Sequence, residues 1–236
     1  MFHRPCSALL VAAFGLAAAG SAPAVVLLFD VGAAANPTAA PTNNIVEAQV
    51  TIADATDTTG SATGISVATA GFNGSNLNGT LTPSGAAAIF DPNSTRDSLY
   101  GNTALFNSVI RPSATLTFTG LDGTGATSYS FDFFASRTGV SDNRETEYAV
   151  AGLTTVSTFL NASANVSEIA SVSNMIPAPG GTITLTVDPG PNNNNTTGFY
   201  YLGAFRLTTA AVPEPSAAAL LLLGAAAGLR RRRSSP

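Results

Sequence analysis

The sequence of 236 residues predicts an all-β body, an antiparallel β-sandwich, between two hydrophobic terminal segments. Three observations support this fold class. Hydrophobic residues alternate with threonine and serine over several short runs, which is the period of a half-buried strand. Glycine, asparagine and proline separate these runs, as expected for tight turns. The body contains no convincing amphipathic helix.

The first half of the body predicts its strands less regularly than the second. The apolar run at 25–30 predicts a first strand buried on both faces, and the run at 45–52 predicts the next. Two or three short strands separated by glycine turns are expected within 63–90. The stretch 99–110 fits either a helical turn or a strand, because its apolar positions match both periods.

The second half alternates cleanly. Hydrophobic residues at every second position predict strands at 114–119, 128–134, 147–150, 182–187 and 199–207. The Asn-rich segment 188–198 is expected to be a loop with a flexible tip. About ten short strands in one domain favour a jelly roll. Its first and last strands are expected to lie together, because the ends of a domain are often close.

The N-terminus has the order of a secretory signal peptide. Arg4 belongs to a short basic region, residues 8–19 are apolar, and Ala22-Pro23-Ala24 offers small residues for cleavage. We expect signal peptidase to remove residues 1–24 and to leave a sandwich domain at 25–211.

The C-terminal segment 212–236 has three parts in a fixed order. A Pro-Glu-Pro motif stops any strand or helix. The apolar run 217–229 then predicts a transmembrane helix shorter than the usual span of about 20 residues. An arginine cluster follows and is expected to stay in the cytoplasm.

This order resembles the PEP-CTERM sorting signal of Gram-negative bacteria. The residues that carry the resemblance are Val212, Pro213, Glu214, Pro215 and Ser216, and then Arg230, Arg231, Arg232 and Arg233. It implies processing by an exosortase, a membrane protease-transpeptidase, near the Pro-Glu-Pro motif. It also implies transient anchoring in the inner membrane and a final place at the cell surface or in the extracellular matrix. A plain C-terminal anchor is the alternative.

Removing both ends changes the composition of the chain. Cys6 and His3 are the only cysteine and histidine, and both leave with the signal peptide. The mature body has no lysine and no tryptophan, and it carries five arginines against 14 carboxylates if Glu214 is counted, a formal net charge of −9. Such an acidic body is not expected to bind nucleic acid.

The missing residue types also exclude common catalytic groups. Without histidine, cysteine or lysine, the body has no Ser-His-Asp triad, no cysteine nucleophile, no ordinary zinc site and no Schiff-base lysine. A glycosidase that uses two carboxylates stays formally open, with Asp132, Asp142, Glu145 and Glu147 as candidates. We therefore expect that the protein is not an enzyme.

The loop 136–147 is the densest polar cluster in the body. It contains the candidate glycan-binding residues Arg137, Asp142, Arg144, Glu145 and Glu147. Arginine and carboxylate groups can bind sugar hydroxyls through paired hydrogen bonds. The alternative is an internal network of ion pairs that pins the loop to the sheet.

A weak metal site is predicted at 91–97. Asp91, Asn93 and Asp97 place oxygen ligands at alternate positions, as a calcium ion would need. No cofactor is otherwise expected. The alternative is a turn in which Asp91 caps the following backbone.

The segment 115–207 carries a second, weaker resemblance. It is similar to small exported jelly-roll proteins of planctomycetes and verrucomicrobia that often end in PEP-CTERM tails. The residues that carry it are Gly120-Leu121, 129–137, 142–148, Gly152, Asn161, Asn165, Gly180-Gly181 and 200–203. Some of these sandwiches resemble carbohydrate modules of the galactose-binding type. This chain departs from most sugar-binding faces because it lacks tryptophan.

Three functions follow as hypotheses. The first is a non-enzymatic surface or matrix protein, sorted by an exosortase and associated with exopolysaccharide. The second is a carbohydrate-binding module of galactose-binding-like type, which is compatible with the first. The third is a carboxylate-based glycosidase. We expect the first.

Overall fold

The computed structural model describes residues 23–47 and 51–212. Nearly all of the predicted signal peptide lies outside these residues, and so do the motif residues Pro213–Ser216, the apolar run 217–229 and the arginine cluster. Within the described ranges, no helix has the length and hydropathy that a membrane crossing requires.

The described body is all-β, with antiparallel sheets, which confirms the predicted class. One 3-10 helix, Gly85–Ile89, and one short helix, α1 at Pro92–Thr95, interrupt the strands. The strands are β1 Val26–Gly32, β2 Asn43–Val46, β3 Thr51–Ile52, β4 Ser66–Ala70, β5 Gly74–Asn76, β6 Ser98–Phe106, β7 Val109–Arg111, β8 Ala114–Thr119, β9 Thr127–Phe134, β10 Glu145–Ala151, β11 Thr155–Asn161, β12 Ala170–Met175, β13 Ile183–Pro189, β14 Tyr200–Leu202 and β15 Ala204–Ala211.

Two large sheets form the sandwich. The first sheet has the order β12-β9-β15-β1-β2, and the second has the order β11-β10-β13-β8-β4-β3. A small third sheet, β14-β6-β5, lies beside them, and β7 pairs with β6. Among the named strand pairs, only β1 and β2 run parallel. The first and last strands, β1 and β15, are neighbours as predicted, with Phe29 opposite Phe205.

Aromatic side chains hold the two large sheets together. Phe29 stacks on Phe205 within the first sheet, with 4.3 Å between ring centres. Phe118 of the second sheet meets the edge of Phe131 at 5.3 Å. Tyr148 of the second sheet stacks on Phe133 of the first at 4.6 Å. All of these rings are fully buried, as the alternation in the second half predicted for its strands.

In the first half, one predicted strand is wrong, and one stretch that fitted two structures forms strands. The single strand expected at 45–52 is two strands in different sheets, because the chain leaves β2 through Glu47, whose φ of 55° ends an extended strand. The ambiguous stretch 99–110 is a hairpin. Asn107 and Ser108, with φ of 48° and 64°, form the two-residue turn between β6 and β7.

The outer face of the first sheet buries two carboxylates, Asp30 and Asp97. Asp30 Oδ2 accepts hydrogen bonds from the backbone N–H and the hydroxyl of Thr38, at 2.9 and 2.8 Å. Gly32 follows Asp30 by two residues and lies on the same face of β1. Asp97 covers Gly32, and its Oδ1 is 1.9 Å from the position that a Cβ on Gly32 would occupy. Oδ1 of each carboxylate has no hydrogen-bond partner among the described residues.

The pKa of Asp30 is raised to about 6, chiefly by burial and also by the nearby carboxylates of Asp97 and Asp91, while hydrogen bonds from Thr38 oppose the shift. Burial also raises the pKa of Asp97, although Asn36 and Ala33 donate hydrogen bonds to it. Ionising this pair in the folded state therefore costs stability, because burial disfavours the charged form.

Replacing Asp30 by asparagine is expected to stabilise the protein at pH 7.5 by up to about 3 kcal/mol. The pKa of Asp30 rises from 3.8 to about 6 on folding, and a tenfold change in proton affinity corresponds to about 1.4 kcal/mol. Between these two pKa values the folded state binds more protons than the unfolded state, so the wild type loses stability as pH rises through that window.

Urea denaturation in EDTA, which removes any bound divalent cation, measures this effect. The gain from Asp30→Asn should appear at pH 7.5 and be small at pH 4, where the wild-type carboxyl is protonated in the folded state. A gain or loss of equal size at both pH values would contradict the argument.

Candidate functional site

A cleft of about 440 Å³ lies where the small third sheet meets the loop between β9 and β10. Aromatic, asparagine and arginine side chains line it, and no carboxylate does so among the described residues. The lining residues are Ser75, Asn76, Leu77, Asn78, Tyr100, Phe106, Asn107, Arg137, Arg144, Phe199 and Tyr201.

Four aromatic rings form one wall of the cleft. The pairing of β14 with β6 places Tyr201 opposite Tyr100, with 6.4 Å between the ring centres. Phe199 meets Tyr100 edge-on at 5.5 Å and Phe106 edge-on at 4.9 Å. Phe199 and Tyr201 therefore face the cleft, while Tyr200 between them turns to the core.

Tyr200 explains why β6 carries glycine at position 101. A Cβ on Gly101 would lie 2.0 Å from the ring of Tyr200, which crosses this position. The hydroxyl of Tyr200 donates to the carbonyl oxygen of Arg111 at 2.8 Å. This contact joins β14 to β7, the strand that pairs with β6, and so holds the small sheet together behind the aromatic wall.

Arg144 lies against this wall. Its Cζ is 5.3 Å from the ring centre of Phe199 and 5.9 Å from that of Tyr201, within the range of a cation–π contact. Nε donates to both oxygens of Asp142, at 3.2 and 3.1 Å, and Nη1 donates to the hydroxyl of Tyr201 at 2.5 Å. The guanidinium is therefore held in one orientation.

Asp142 stays ionised behind Arg144. Burial would raise the pKa of Asp142, but hydrogen bonds from Asn195 and Arg144 and the charge of Arg144 outweigh it and hold the pKa below its usual value. Asn195 Nδ2 donates to Asp142 Oδ2 at 2.5 Å. The carboxylate thus links the loop before β10 to the loop before β14.

The Asn-rich loop, for which a flexible tip was predicted, makes specific contacts with the segment 142–145. Asn192 donates from its backbone N–H to Glu145 Oε1 at 2.9 Å. Asn193 Nδ2 donates to the carbonyl oxygen of Glu145 at 2.9 Å. Asn194 Oδ1 accepts from the backbone N–H of Asn143 at 2.7 Å. These amides fit the loop against the base of the cleft.

Arg137 reaches the cleft from the loop after β9. Its backbone N–H donates to Ala162 O at 2.7 Å, and its carbonyl oxygen accepts from Ala164 N at 2.9 Å. Its Nη1 donates to the carbonyl oxygen of Thr138. Among the described residues, Arg137 forms no ion pair with a carboxylate.

Tyr201 lies between the two arginines and remains a neutral hydroxyl. Burial raises the pKa of Tyr201 above its usual value, although the hydrogen bond from Arg144 and the charges of Arg144 and Arg137 oppose the shift. Because the hydroxyl oxygen accepts from Arg144, its own proton is available for donation to a ligand.

Two of the predicted glycan-binding residues, Arg137 and Arg144, line the cleft, and Asp142 supports the second from behind. Glu145 and Glu147 do not line it. Glu145 binds the Asn-rich loop instead, and Glu147 lies directly opposite Asp188 in the pairing of β10 with β13. The predicted set therefore combines cleft residues with residues that organise the loop.

The four rings and the asparagines were missed by the sequence interpretation. The alternation in 199–207 predicts one strand with Phe199, Tyr201, Phe205 and Leu207 on one face. The structure instead divides this segment at Gly203 into β14 and β15 of different sheets, with Phe205 and Leu207 in the core. Phe199 and Tyr201 face a cleft, and not the core, because β14 pairs with β6, a strand about a hundred residues away in the chain.

The predicted calcium ligands have separate structural partners. Asp91 caps α1, where its side chain accepts from Asn93 N at 2.8 Å. Asp97 points to the loop after β1 and accepts from Asn36 Nδ2 at 2.9 Å. In the described part of the chain, no three His, Cys, Asp or Glu side chains group closely enough to hold a metal.

The remaining carboxylate considered for glycosidase chemistry, Asp132, lies away from the cleft. It faces outward on β9 of the first sheet, where Oδ2 accepts from Arg206 Nη2 at 2.7 Å and Oδ1 accepts from Ser171 at 2.6 Å. Asp142, Glu145 and Glu147 have the other partners described above. The four candidate carboxylates therefore each contact different neighbours.

No protein-family model and no curated protein matches the chain. Among solved structures, TmCBM61 in complex with β-1,4-galactotriose aligns with a TM-score of 0.29 and 14% identity, over 60% of this chain and 80% of the other. An exo-β-1,3-galactanase of Phanerochaete chrysosporium with galactose aligns with a TM-score of 0.27 and 16% identity, over 73% of this chain and 36% of the other. At such low TM-scores, function must be argued from this chain's own residues.

Replacing Asp142 by alanine is expected to free the guanidinium of Arg144. Its Nε–H should exchange with water roughly tenfold faster, because a hydrogen bond to a charged group contributes about 1.5–3 kcal/mol. The Nε–H signals in ¹⁵N-resolved NMR spectra measure this, and five arginines in the body make them few enough to assign.

Asp132→Ala is the matched control, because it removes the partner of Arg206 on the first sheet. It should accelerate exchange at Arg206 and leave Arg144 unchanged. Slow exchange at Arg144 in the Asp142→Ala variant would show that this pair does not orient the cleft arginine.

Proposed function

We propose that this protein is a non-enzymatic exported protein of the cell surface or extracellular matrix, whose body binds exopolysaccharide through the aromatic cleft. Signal peptidase and an exosortase would process its two ends, with the inner membrane as a transient anchor. The alternative, a dedicated carbohydrate-binding module of galactose-binding-like type, uses the same cleft.

The observation that carries glycan binding is the combination of lining groups. Sugar rings present C–H faces that pack on aromatic rings, and Phe199, Phe106 and Tyr100 offer such rings although the chain has no tryptophan. Arg144 and Asn76 add hydrogen-bonding groups at the same surface. Apolar walls with a few oriented polar groups are typical of ligand sites.

The fold suits attachment through the C-terminal tail. The last strand, β15, ends at Ala211, and Val212 N still donates to Ala126 O at 2.8 Å. The Pro-Glu-Pro motif begins at the next residue, so cleavage there would leave every strand of the sandwich in place. This position supports the proposed sorting.

The connections support a jelly roll as the finer description of the sandwich. From β8 onward the large-sheet strands pass repeatedly from one sheet to the other, in the sequence β8, β9, β10-β11, β12, β13 and β15. Each passage crosses an end of the sandwich, and the passage from β9 to β10 supplies both Arg137 and Arg144.

The chemistry of the carboxylates supports a binding role over catalysis. A general acid needs a raised pKa close to the substrate. Burial raises the pKa of Asp188, as it does for Asp30 and Asp97, but none of these three lines the cleft. Asp142, the carboxylate nearest the cleft arginine, has a lowered pKa.

The tail proposal predicts a defined C-terminus of the mature protein. Mass spectrometry of protein recovered from the producing cells should find a terminus within 212–216, with the apolar run and the arginines removed. Replacing Pro213, Glu214 and Pro215 together by alanine should retain the full tail. An intact tail in the wild type would overturn processing, and wild-type protein recovered in the cytosol would overturn export.

The cleft proposal predicts that Phe199→Ala weakens glycan binding at least tenfold, which corresponds to about 1.4 kcal/mol. Isothermal titration of the 25–212 body with neutral and acidic oligosaccharides, with and without calcium, measures this. Phe159→Ala is the matched control, because Phe159 is an exposed ring, 45% accessible, on the edge strand β11. Equal losses in both variants would exclude the cleft as the site.

A further inference from the structure

The charge of the cleft is opposite to the charge of the body. The mature body carries five arginines and 14 carboxylates if Glu214 is counted, and it has no lysine. Two of these five arginines, Arg137 and Arg144, lie in one cleft whose described lining contains no carboxylate. Clustering cations in a strongly acidic protein concentrates positive potential at one place on its surface.

Arg144 is only partly neutralised by its internal contacts. Asp142 accepts from Nε on the far side of the guanidinium, and Tyr201 accepts from Nη1. Its side chain is only 12% exposed, so much of its hydration is already lost in the free protein. A ligand anion would meet a charge that is poorly hydrated and fixed in orientation, which favours a strong contact.

Arg137 has no ion-pair partner within the described residues, and it lines the same cleft as Arg144 and Tyr201. Two guanidinium groups and one neutral hydroxyl donor are thus available to one ligand. Only oxygens that accept several hydrogen bonds satisfy such a set, and a carboxylate does so with two planar lone-pair edges. Neutral sugar hydroxyls would leave the charge of Arg137 without a counter-charge.

We propose that the cleft selects carboxylated glycans, with a uronic acid carboxylate bound between Arg137 and Arg144 and its sugar ring packed on Phe199. This inference rests on the proposed glycan binding and adds the chemical class of the sugar. Arg137 supplies the charge that discriminates acidic from neutral sugars, and the aromatic wall contributes equally to both. The acidic remainder of the body repels polyanions that approach elsewhere, so a polyuronate is bound at one place.

The test compares oligogalacturonate with its fully methyl-esterified form, and oligoalginate with its methyl ester, by isothermal titration to the 25–212 body. Esterification removes the negative charge and keeps the sugar backbone. At least one free acid should bind tenfold or more tightly than its ester, and its affinity should fall as salt rises. A neutral β-1,4-galacto-oligosaccharide and a sulfated galactan complete the set of probes.

Variants separate the role of Arg137 from a general loss of charge. Arg137→Gln should weaken binding of the free acid at least tenfold and weaken binding of the ester much less. Arg137→Lys keeps the charge and loses the paired donors. Its affinity for the free acid should lie between the affinities of the wild type and of Arg137→Gln. Arg111→Gln removes one exposed arginine outside the cleft and should change neither affinity.

The outcomes distinguish the two proposals. If neutral or esterified sugars bind the cleft as tightly as the acids, carboxylate selection is overturned and glycan binding stands. If the sulfated galactan binds more tightly than any uronate, the assignment to carboxylate is overturned. If no probe binds, both glycan binding and carboxylate selection fail.

Discussion

The hydrogen bonds that hold the main chain of Tyr201 are the constraint on which the cleft depends. Its backbone N–H donates to Thr146 Oγ1 at 3.0 Å, and its carbonyl oxygen accepts from the hydroxyl of Tyr148 at 2.8 Å. Tyr148 is itself stacked on Phe133 in the core. Because an unpaired buried polar group costs about 1–3 kcal/mol, this arrangement resists displacement. The core of the sandwich therefore fixes the position of a cleft residue directly.

The ion pair at Arg144 acts mainly on geometry. Exposed ion pairs contribute about 0–1 kcal/mol, and buried ones offset a desolvation cost of similar or larger size. Asp142 is 28% exposed, so its attraction for Arg144 is partly screened. What the pair provides is a guanidinium with one orientation, held between Asp142 and two rings. A side chain that is already ordered loses little conformational entropy when a ligand binds.

Gly203 connects the cleft to the buried carboxylates of the first sheet. It is the single residue between β14 and β15, and its carbonyl oxygen accepts from Val31 N at 2.7 Å. A Cβ at this position would lie 2.8 Å from the carbonyl oxygen of Asp97. Glycine therefore lets the chain pass directly from the cleft sheet to the first sheet. The carboxylates of Asp30 and Asp97, each with one oxygen that lacks a hydrogen-bond partner among the described residues, are buried beside a connection that the cleft requires.

Local patterns predicted the parts of the fold that local chemistry determines. The alternation in 182–187 predicted the buried face of β13, and the threonines of β8 predicted its polar face. The pattern failed for β11 and β12, whose sequences TVSTFLN and ASVSNM carry few hydrophobic residues because both are edge strands. An edge strand buries less of its surface, so its sequence needs less alternation.

The cleft could be predicted only in part, because it is assembled from four separate segments of the chain. A cluster of charges in 136–147 was visible in the sequence and supplied Arg137 and Arg144. The rings were not assigned to it, because whether Phe199 faces a core or a cleft depends on which strand pairs with β14. The Asn-rich loop shows the same limit. Its composition suggests a mobile tip, yet Asn195 is held by Asp142, and that contact exists only once both loops meet at one end of the sandwich. The composition of a loop indicates that it can be mobile, but contacts with other parts of the chain determine whether it is ordered.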